Sequence, residues 1–257
     1  MIKIIFCAYN EEQSLPEFIT NLTHELKSLN REFEIIACLD GSQDGSLKFL
    51  INSRKLYPIK ILEIKNQRGL GLAYKRLFLD VIKNSSDEDL IISLDADNTH
   101  NPAQISEMIE HYEKNSLDFL VAARFCSNSV MRKFPLHRQF ISKSISILLQ
   151  ILFPIKKISD TNLKDYTSGY RIYKAEKLKK LFTILQDNFI TEPEFTYTCE
   201  LLINLSRLNL RVDEIAIFYD YDKKIGKSKL RIFRNFRRLT ILLIKQIRIK
   251  KLPKYFL

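Results

Sequence analysis

An α/β fold with a mostly parallel sheet is predicted by two features of this 257-residue chain. Short apolar runs rich in Ile, Leu, Val and Phe recur at 2–7, 33–39, 59–64, 89–95 and 117–123. Segments of helical periodicity at 13–29, 44–56, 70–83 and 102–114 fall between most of them. Strands alternating with helices imply βαβ units and a sheet buried on both faces. Ligands of such sheets bind at the carboxyl ends of the strands. The polar residues just after each run are therefore the site candidates: Tyr9-Asn10-Glu11, Asp40-Gly41-Ser42 and Asp95-Ala96-Asp97.

Composition sets the frame for these elements. With 46% hydrophobic and 28% charged residues the chain can bury a substantial core, and its length fits one large domain plus an appendage. A formal net charge of +11 predicts attraction to a polyanion, whether nucleic acid, an anionic membrane or a phosphorylated substrate. Cys7, Cys38, Cys126 and Cys199 have no zinc spacing, which makes them small core residues of a reducing compartment. The N-terminal MIKIIFCAYN lacks signal-peptide architecture. The longest uncharged apolar stretch, 144–155, is too short to span a bilayer.

The first strand runs into CAYNEEQSLPEFI, where Asn10 and Glu11 fall at the sheet end and Ser14 and Pro16 can start a helix. After the second strand, Asp40-Gly41 makes a tight turn that could present a carboxylate to a ligand's base or ribose, or serve the turn alone. Gly69-Leu70-Gly71 after the third run is part of a dinucleotide fingerprint, a signal for either phosphate or close packing. The fourth run ends in IISLDADNTHNP. Side chains alternate along a strand, so Asp95 and Asp97 project the same way and repel unless something positive lies between them. The same stretch also reads as a strand end with an Asx-type turn and a helix cap near Asn101.

The second half differs in character. Residues 130–157 and 229–257 mix Arg and Lys with Ile, Leu and Phe, as basic amphipathic helices lying in a membrane interface do, or as ordinary helices with solvated basic faces do. No common nucleic-acid motif accompanies the basic residues, so nucleic acid is the less favoured polyanion.

In their order, Tyr9-Asn10-Glu11, Asp40-Gly41-Ser42, Gly69-Leu70-Gly71 and Asp95-Ala96-Asp97 resemble the inverting nucleotide-sugar glycosyltransferases of family 2, which have the GT-A fold. Within that family the resemblance is to polyprenyl- or dolichyl-phosphate mannosyltransferases, and it runs from Cys7 to about Leu230. Val121-Ala122-Ala123-Arg124 resembles the family's strand ending in an arginine, and Asp165-Tyr166-Thr167-Ser168-Gly169-Tyr170-Arg171 its D-x-T-S-G-F-R signature. The latter also reads as a capped turn into a helix over 174–186. After a strand at Val212–Tyr219, DKKIGKSKL resembles the R-x-x-G-x-S-K loop.

The resemblance implies a catalytic domain over 1–230, with 130–157 as an interfacial segment, followed by a basic amphipathic segment at 231–257. It implies donor binding by Cys7, Tyr9, Glu11, Cys38, Asp40, Asp95, Ala96, Asp97, Arg124, Lys223 and Lys229. Mg²⁺ or Mn²⁺ would be held by Asp95, Asp97 and Thr99, and Asp95, Asp97 and Arg124 would be the catalytic residues. Arg124, Arg138 and Ser142 would bind the acceptor phosphate. On a helix, positions four apart share a face, so one phosphate could bridge Arg138 and Ser142.

The expected reaction moves a hexose, mannose from GDP-mannose, onto a polyprenyl or dolichyl phosphate at the cytoplasmic face of a membrane, with an integral membrane protein as a further expected partner. A UDP-glucose or other nucleotide-sugar donor, or a soluble saccharide acceptor, is the alternative within enzymes; a basic nucleic-acid-binding protein or a degenerate binding protein lies outside them. Cys7 stands where the family has Pro, Leu39 where it has a first Asp, Thr99 where it often has Gln or His, and Lys223 where it has Arg. Lysine there lacks the planar bidentate fork.

Overall fold

A computed structural model describes residues 1–65, 69–225 and 232–250. Its central sheet contains β1 (Ile2–Ala8), β2 (Phe33–Asp40), β3 (Ile59–Ile64), β4 (Leu90–Ser93), β5 (Phe119–Ala123), β7 (Arg171–Lys174) and β8 (Val212–Ala216). Their order across the sheet is β3-β2-β1-β4-β7-β5-β8, and β7 alone is antiparallel to its neighbours. A second, two-stranded sheet pairs β6 (Val130–Arg132) with β9 (Phe218–Asp220) in parallel.

The helices are α1 (Leu15–Ser28), α2 (Ser46–Ser53), α3 (Leu70–Asn84), α4 (Ile105–Lys114), α5 (Leu136–Leu152), α6 (Ala175–Leu185), α7 (Tyr197–Leu205) and α8 (Ile232–Lys250). The alternation of side chains along each strand divides the core in two. Ile4, Phe6, Ala37 and Ile92 pack with α1, α2 and α4 on one face. Ile5, Ile36, Cys38 and Ile91 pack with α3, α6, α7 and α8 on the other. Covering both faces explains why the strands read as continuous apolar runs rather than as alternating ones.

Two sequence expectations change here. The stretch after Gly169 enters strand β7 before the helix, because Arg171–Lys174 fills the gap between β4 and β5. The run expected as one strand over Val212–Tyr219 is broken at Ile217: β8 stays in the main sheet, while β9 leaves it and pairs with β6. Helix α8 is docked by Leu239 and Leu242, which are buried in the same core as α3 and α6.

Candidate active site

Strand β4 pairs with β1 only as far as Ser93 opposite Ile5, whereas β1 continues to Ala8. The strand expected to reach Asp95 therefore ends earlier, and Asp95–Asp97 leave the sheet beside the last residues of β1. Asn98, at φ +62°, turns the chain. Beyond it the Asn101 side chain accepts from Ala103 N at 3.2 Å, so the expected helix cap is present alongside the carboxylate pair.

The two carboxylates have different surroundings. Asp95 is the open one, its side chain 41% exposed. Its backbone N–H donates to His100 Nδ1 at 3.0 Å, and the Cα of Gly169 comes close enough that an added Cβ would lie 3.7 Å from Asp95 Oδ1. Asp97 is enclosed. Its Oδ1 accepts from Thr99 N (3.2 Å) and Thr99 Oγ1 (2.6 Å), and its Oδ2 is ion-paired with Lys224 Nζ. Burial pushes the Asp97 carboxyl up, but the Lys224 ammonium outweighs it and holds the group below the usual carboxylate range.

Thr99 is fully buried, and its hydroxyl is spent on Asp97. The threonine expected as a third metal ligand fixes the Asp97 carboxylate instead. Among the described residues, no group of three or more His, Cys, Asp or Glu is arranged to hold a metal.

An aromatic wall leads away from this pair. His100 stacks on Tyr170 (5.1 Å) and meets Tyr219 edge-on (5.5 Å), Tyr219 meets Phe134 (5.2 Å), and Phe134 meets Tyr221 (5.7 Å). Burial lowers the His100 imidazole against the pull of Asp95 and Asp97, which keeps it neutral, as an Nδ1 acceptor must be. The wall ends at Arg138 in the first turn of α5, whose guanidinium lies 5.7 Å from the Phe134 ring and 5.5 Å from that of Tyr221, and whose Nη1 donates to the Tyr221 hydroxyl at 2.9 Å. Ser142 follows one turn later on the same helix. Tyr221 opens a short 3-10 turn, Tyr221–Lys223, and Lys224 follows it onto Asp97. The arginine expected at the acceptor phosphate is thus linked through one turn to the expected metal ligand.

Arg124 leaves β5 into the grip of Asp165, with Nε to Oδ2 at 2.8 Å and Nη2 to Oδ1 at 2.9 Å. Asp165 also accepts from the backbone N–H groups of Arg124, Thr167 and Ser168, so it caps its own turn while neutralising the arginine. Only the Nη1 edge of the guanidinium is left unused by Asp165 and Thr167 for a ligand.

The remaining expected residues fall into three groups. Tyr9 and Glu11 are half-buried at the end of β1; Glu11 accepts from Ser14 Oγ at 2.9 Å, and its N–H donates to Ser46 Oγ at 2.9 Å. Asp40 is buried, with both carboxylate oxygens on Gly69 N at 3.0–3.1 Å. Cys7 is half-buried and level with Cys38 in the sheet. Ala96 is 3% exposed and Cys38 fully buried, its thiol pushed up by burial to about 12. The Cys38 side chain, expected on the donor, packs in the core instead.

Lys223 points elsewhere, to Glu17 Oε1 at 2.9 Å, and its neighbour Lys224 is the lysine that reaches Asp97. Lys229 lies outside the described residues. Gly69 and Gly71 serve close packing: a Cβ on Gly71 would lie 2.0 Å from Glu192 O, and Gly71 N donates to Pro193 O at 3.0 Å.

A carboxylate pair beyond a parallel strand, an arginine just past the end of β5 and a basic turn folded back over the pair suit a diphosphate-bearing donor. The model of the family described as Glycosyl transferase family 2 matches residues 3–182. The chain belongs to that family. This glycosyltransferase is 29% identical to the dolichol-phosphate mannosyltransferase of Pyrococcus furiosus over 68% of its own length, a match that spans about half (46%) of that relative. It is 25% identical to the undecaprenyl-phosphate mannosyltransferase of Micrococcus luteus over 88% of this chain and 86% of the other.

Among solved structures it resembles glucosyl-3-phosphoglycerate synthase from Mycobacterium tuberculosis, in complex with Mn²⁺, UDP and glucosyl-3-phosphoglycerate. The TM-score is 0.64 at 17% identity, covering 96% of this chain and 80% of that one, a likeness of fold. The expected α/β, GT-A-type architecture is therefore the one observed. Sequence reasoning missed His100 and Lys224. His100 lies three residues after Asp97, close enough in sequence for its ring to reach back to the Asp95 N–H. Lys224 carries none that distinguishes it from Lys223.

Proposed function

We propose that this glycosyltransferase moves a hexose, mannose from GDP-mannose, onto a polyprenyl phosphate at a membrane surface. The observation that carries the reading is the composition of α5. Its first turn holds Arg138 beside the Asp97–Lys224 segment, with Ser142 one turn on, and the same helix exposes Leu136 (80%), Phe140 (75%), Ile147, Leu148 and Ile151 (73%). A phosphate-binding arginine on an apolar, outward-facing helix suits an acceptor whose head group is charged and whose tail is lipid. The names of the two mannosyltransferase relatives support the same substrate class.

The donor set fits a hard divalent cation. Asp95 and Asp97 offer oxygen only, which suits Mg²⁺ or Mn²⁺, and Asp97 already holds a positive charge in the form of Lys224. Such a cation, when bound, stabilises the charge that builds on the leaving diphosphate. Asp97 would hold it, with Asp95 beside it on the ion or the ribose.

Among the chain's own groups, Thr99 fixes Asp97, and His100 fixes the backbone of Asp95. Arg138 and Ser142 would orient the acceptor phosphate. A phosphate monoester has a second pKa of about 6 and arrives anionic at neutral pH, so it needs positioning rather than a general base. Inversion at the anomeric carbon follows from one direct displacement by that oxygen.

The test is transfer by the purified chain across GDP-mannose, UDP-glucose and other nucleotide sugars, with and without polyprenyl phosphate, in Mg²⁺, Mn²⁺ or chelator. The expected result is transfer that needs GDP-mannose, the lipid phosphate and a divalent ion. Equal transfer or hydrolysis without the lipid would overturn the acceptor, and preference for a UDP-sugar would overturn the donor.

A further inference from the structure

Lys224 holds a position that the assigned ligand would also require. Both hydrogen bonds into Asp97 Oδ1 come from Thr99, which occupies the lone pairs of that oxygen. Asp97 Oδ2 is the oxygen left to face a cation, and Lys224 Nζ covers it. The pair is well enclosed, with side chains 16% and 14% exposed. The ammonium also lies in the fields of Asp95 and Glu11, so carboxylates from two strand ends converge on it. Its neighbour Lys223 makes an exposed pair with Glu17, the ordinary fate of a surface lysine.

We propose that Lys224 is a displaceable resident cation on Asp97 Oδ2, which a divalent ion must move aside before it can bind. The proposal rests on the reading of Asp97 as a metal ligand. In the absence of metal, Lys224 relieves the repulsion between Asp95 and Asp97. When the ion arrives, two positive charges cannot share one enclosed oxygen, so the ammonium leaves. The apparent metal affinity is then the intrinsic one reduced by the fraction of molecules in which Lys224 has left Asp97.

The experiment is a donor-free titration of Mn²⁺ into the full chain, reading free Mn²⁺ by electron paramagnetic resonance, for wild type, Lys224→Met, Lys224→Arg and Asp97→Asn. A pair formed nine-tenths of the time weakens binding about tenfold, so Lys224→Met is expected to bind Mn²⁺ about tenfold more tightly than wild type. Lys224→Arg, which keeps the charge, is expected to stay near wild type, and Asp97→Asn to lose binding.

If Lys224→Met equals wild type while Asp97→Asn loses binding, the resident-cation proposal falls and the metal reading stands. If Asp97→Asn binds as wild type does, or none of the four proteins binds Mn²⁺, the metal reading falls and takes the proposal with it. Lys224→Gln repeats the comparison should thermal melting show that the methionine variant does not fold.

Discussion

Arg124 and Asp165 form a two-pronged buried pair, Nε to Oδ2 at 2.8 Å and Nη2 to Oδ1 at 2.9 Å, which ties the end of β5 to the loop before β7. Asp165 is fully buried and Arg124 nearly so. Removing one partner strands the other charge, and breaking a buried pair in this way costs about 3–5 kcal/mol. Asp165→Asn is therefore expected to lower the denaturant midpoint sharply, and Asp165→Asn with Arg124→Gln to lose less than the sum of the single changes. A double-mutant cycle by chemical denaturation checks this. Additive losses would mean that the two side chains act independently.

The same pair sets an acid limit. Burial pushes the Asp165 carboxyl up, but the Arg124 guanidinium and its hydrogen bonds bring it down to about 2 from an ordinary 3.8. A depressed folded pKa gives stability that is present above the unfolded value and lost as pH falls through the folded one. Wild type is thus expected to lose on the order of 2 kcal/mol between about pH 4 and pH 2 through this group, a loss that Asp165→Asn does not show. Unfolding free energies measured across that range test it.

His100 has the opposite chemistry and the same sign. Buried neutral, with its pKa lowered, it binds fewer protons folded than unfolded below its ordinary 6.5, so stability falls as pH drops beneath that value. Its Nδ1 accepts the Asp95 N–H, a role that the Oδ1 of asparagine could fill. His100→Ala is expected to lower kcat by about tenfold or more by loosening Asp95, and His100→Asn to restore part of it. Steady-state kinetics with saturating lipid phosphate would show this. An alanine variant that loses stability but keeps kcat would reduce His100 to packing.

The strand-helix alternation, the buried runs and the Asp-Ala-Asp segment were legible because each is a local pattern whose physical cause lies within a few residues. What escaped was non-local. Nothing in Arg171–Lys174 announces that it will pair antiparallel with both β4 and β5, and the break at Ile217 depends on β6 being available as a partner. Cys38 and Asp40, two residues apart in β2, point to the same face of the sheet, yet Cys38 is packed within the core there while Asp40, at the strand end, meets Gly69 N at the start of α3. Lys223 and Lys224 are chemically identical, and only the path of the turn after Asp220 decides which one reaches Asp97.

Gly71 separates close packing from phosphate binding. A methyl group there would meet the backbone oxygen of Glu192 at 2.0 Å, which no side-chain rotation can relieve. Gly71→Ala is expected to cost about 1–3 kcal/mol, the usual penalty of overpacking, because α3 must pull back from the Glu192–Pro193 backbone. A stability loss with an unchanged KM for the nucleotide sugar is the expected pair of results. A raised KM at unchanged stability would return the glycine to the donor.

The exposed stripe on α5 should decide whether this glycosyltransferase works on a membrane. Leu136, Phe140, Ile147 and Ile151 lie close to whole numbers of turns apart, from one to four, so they share one face of the helix, and Lys143 interrupts it with a charge suited to a lipid head group. Among the described residues no helix is long and apolar enough to cross a membrane, and the exposed face of α5 is what that helix offers to a bilayer surface. Burying one large apolar side chain is worth roughly 1.5–3 kcal/mol. Phe140→Ser with Ile151→Ser is therefore expected to weaken binding to vesicles by about tenfold or more even with partial insertion. The net charge of +11 adds a second expectation, that binding to anionic vesicles exceeds binding to neutral ones and falls with salt. Co-sedimentation with vesicles of both kinds, at low and high salt and beside an RNA competitor at matched salt, measures all three. Turnover of the double variant on a short, water-soluble polyprenyl phosphate is expected to match wild type, since neither residue faces Asp97 or Arg138. Unchanged vesicle binding, or preference for the RNA, would mean that α5 presents its apolar face to something other than lipid.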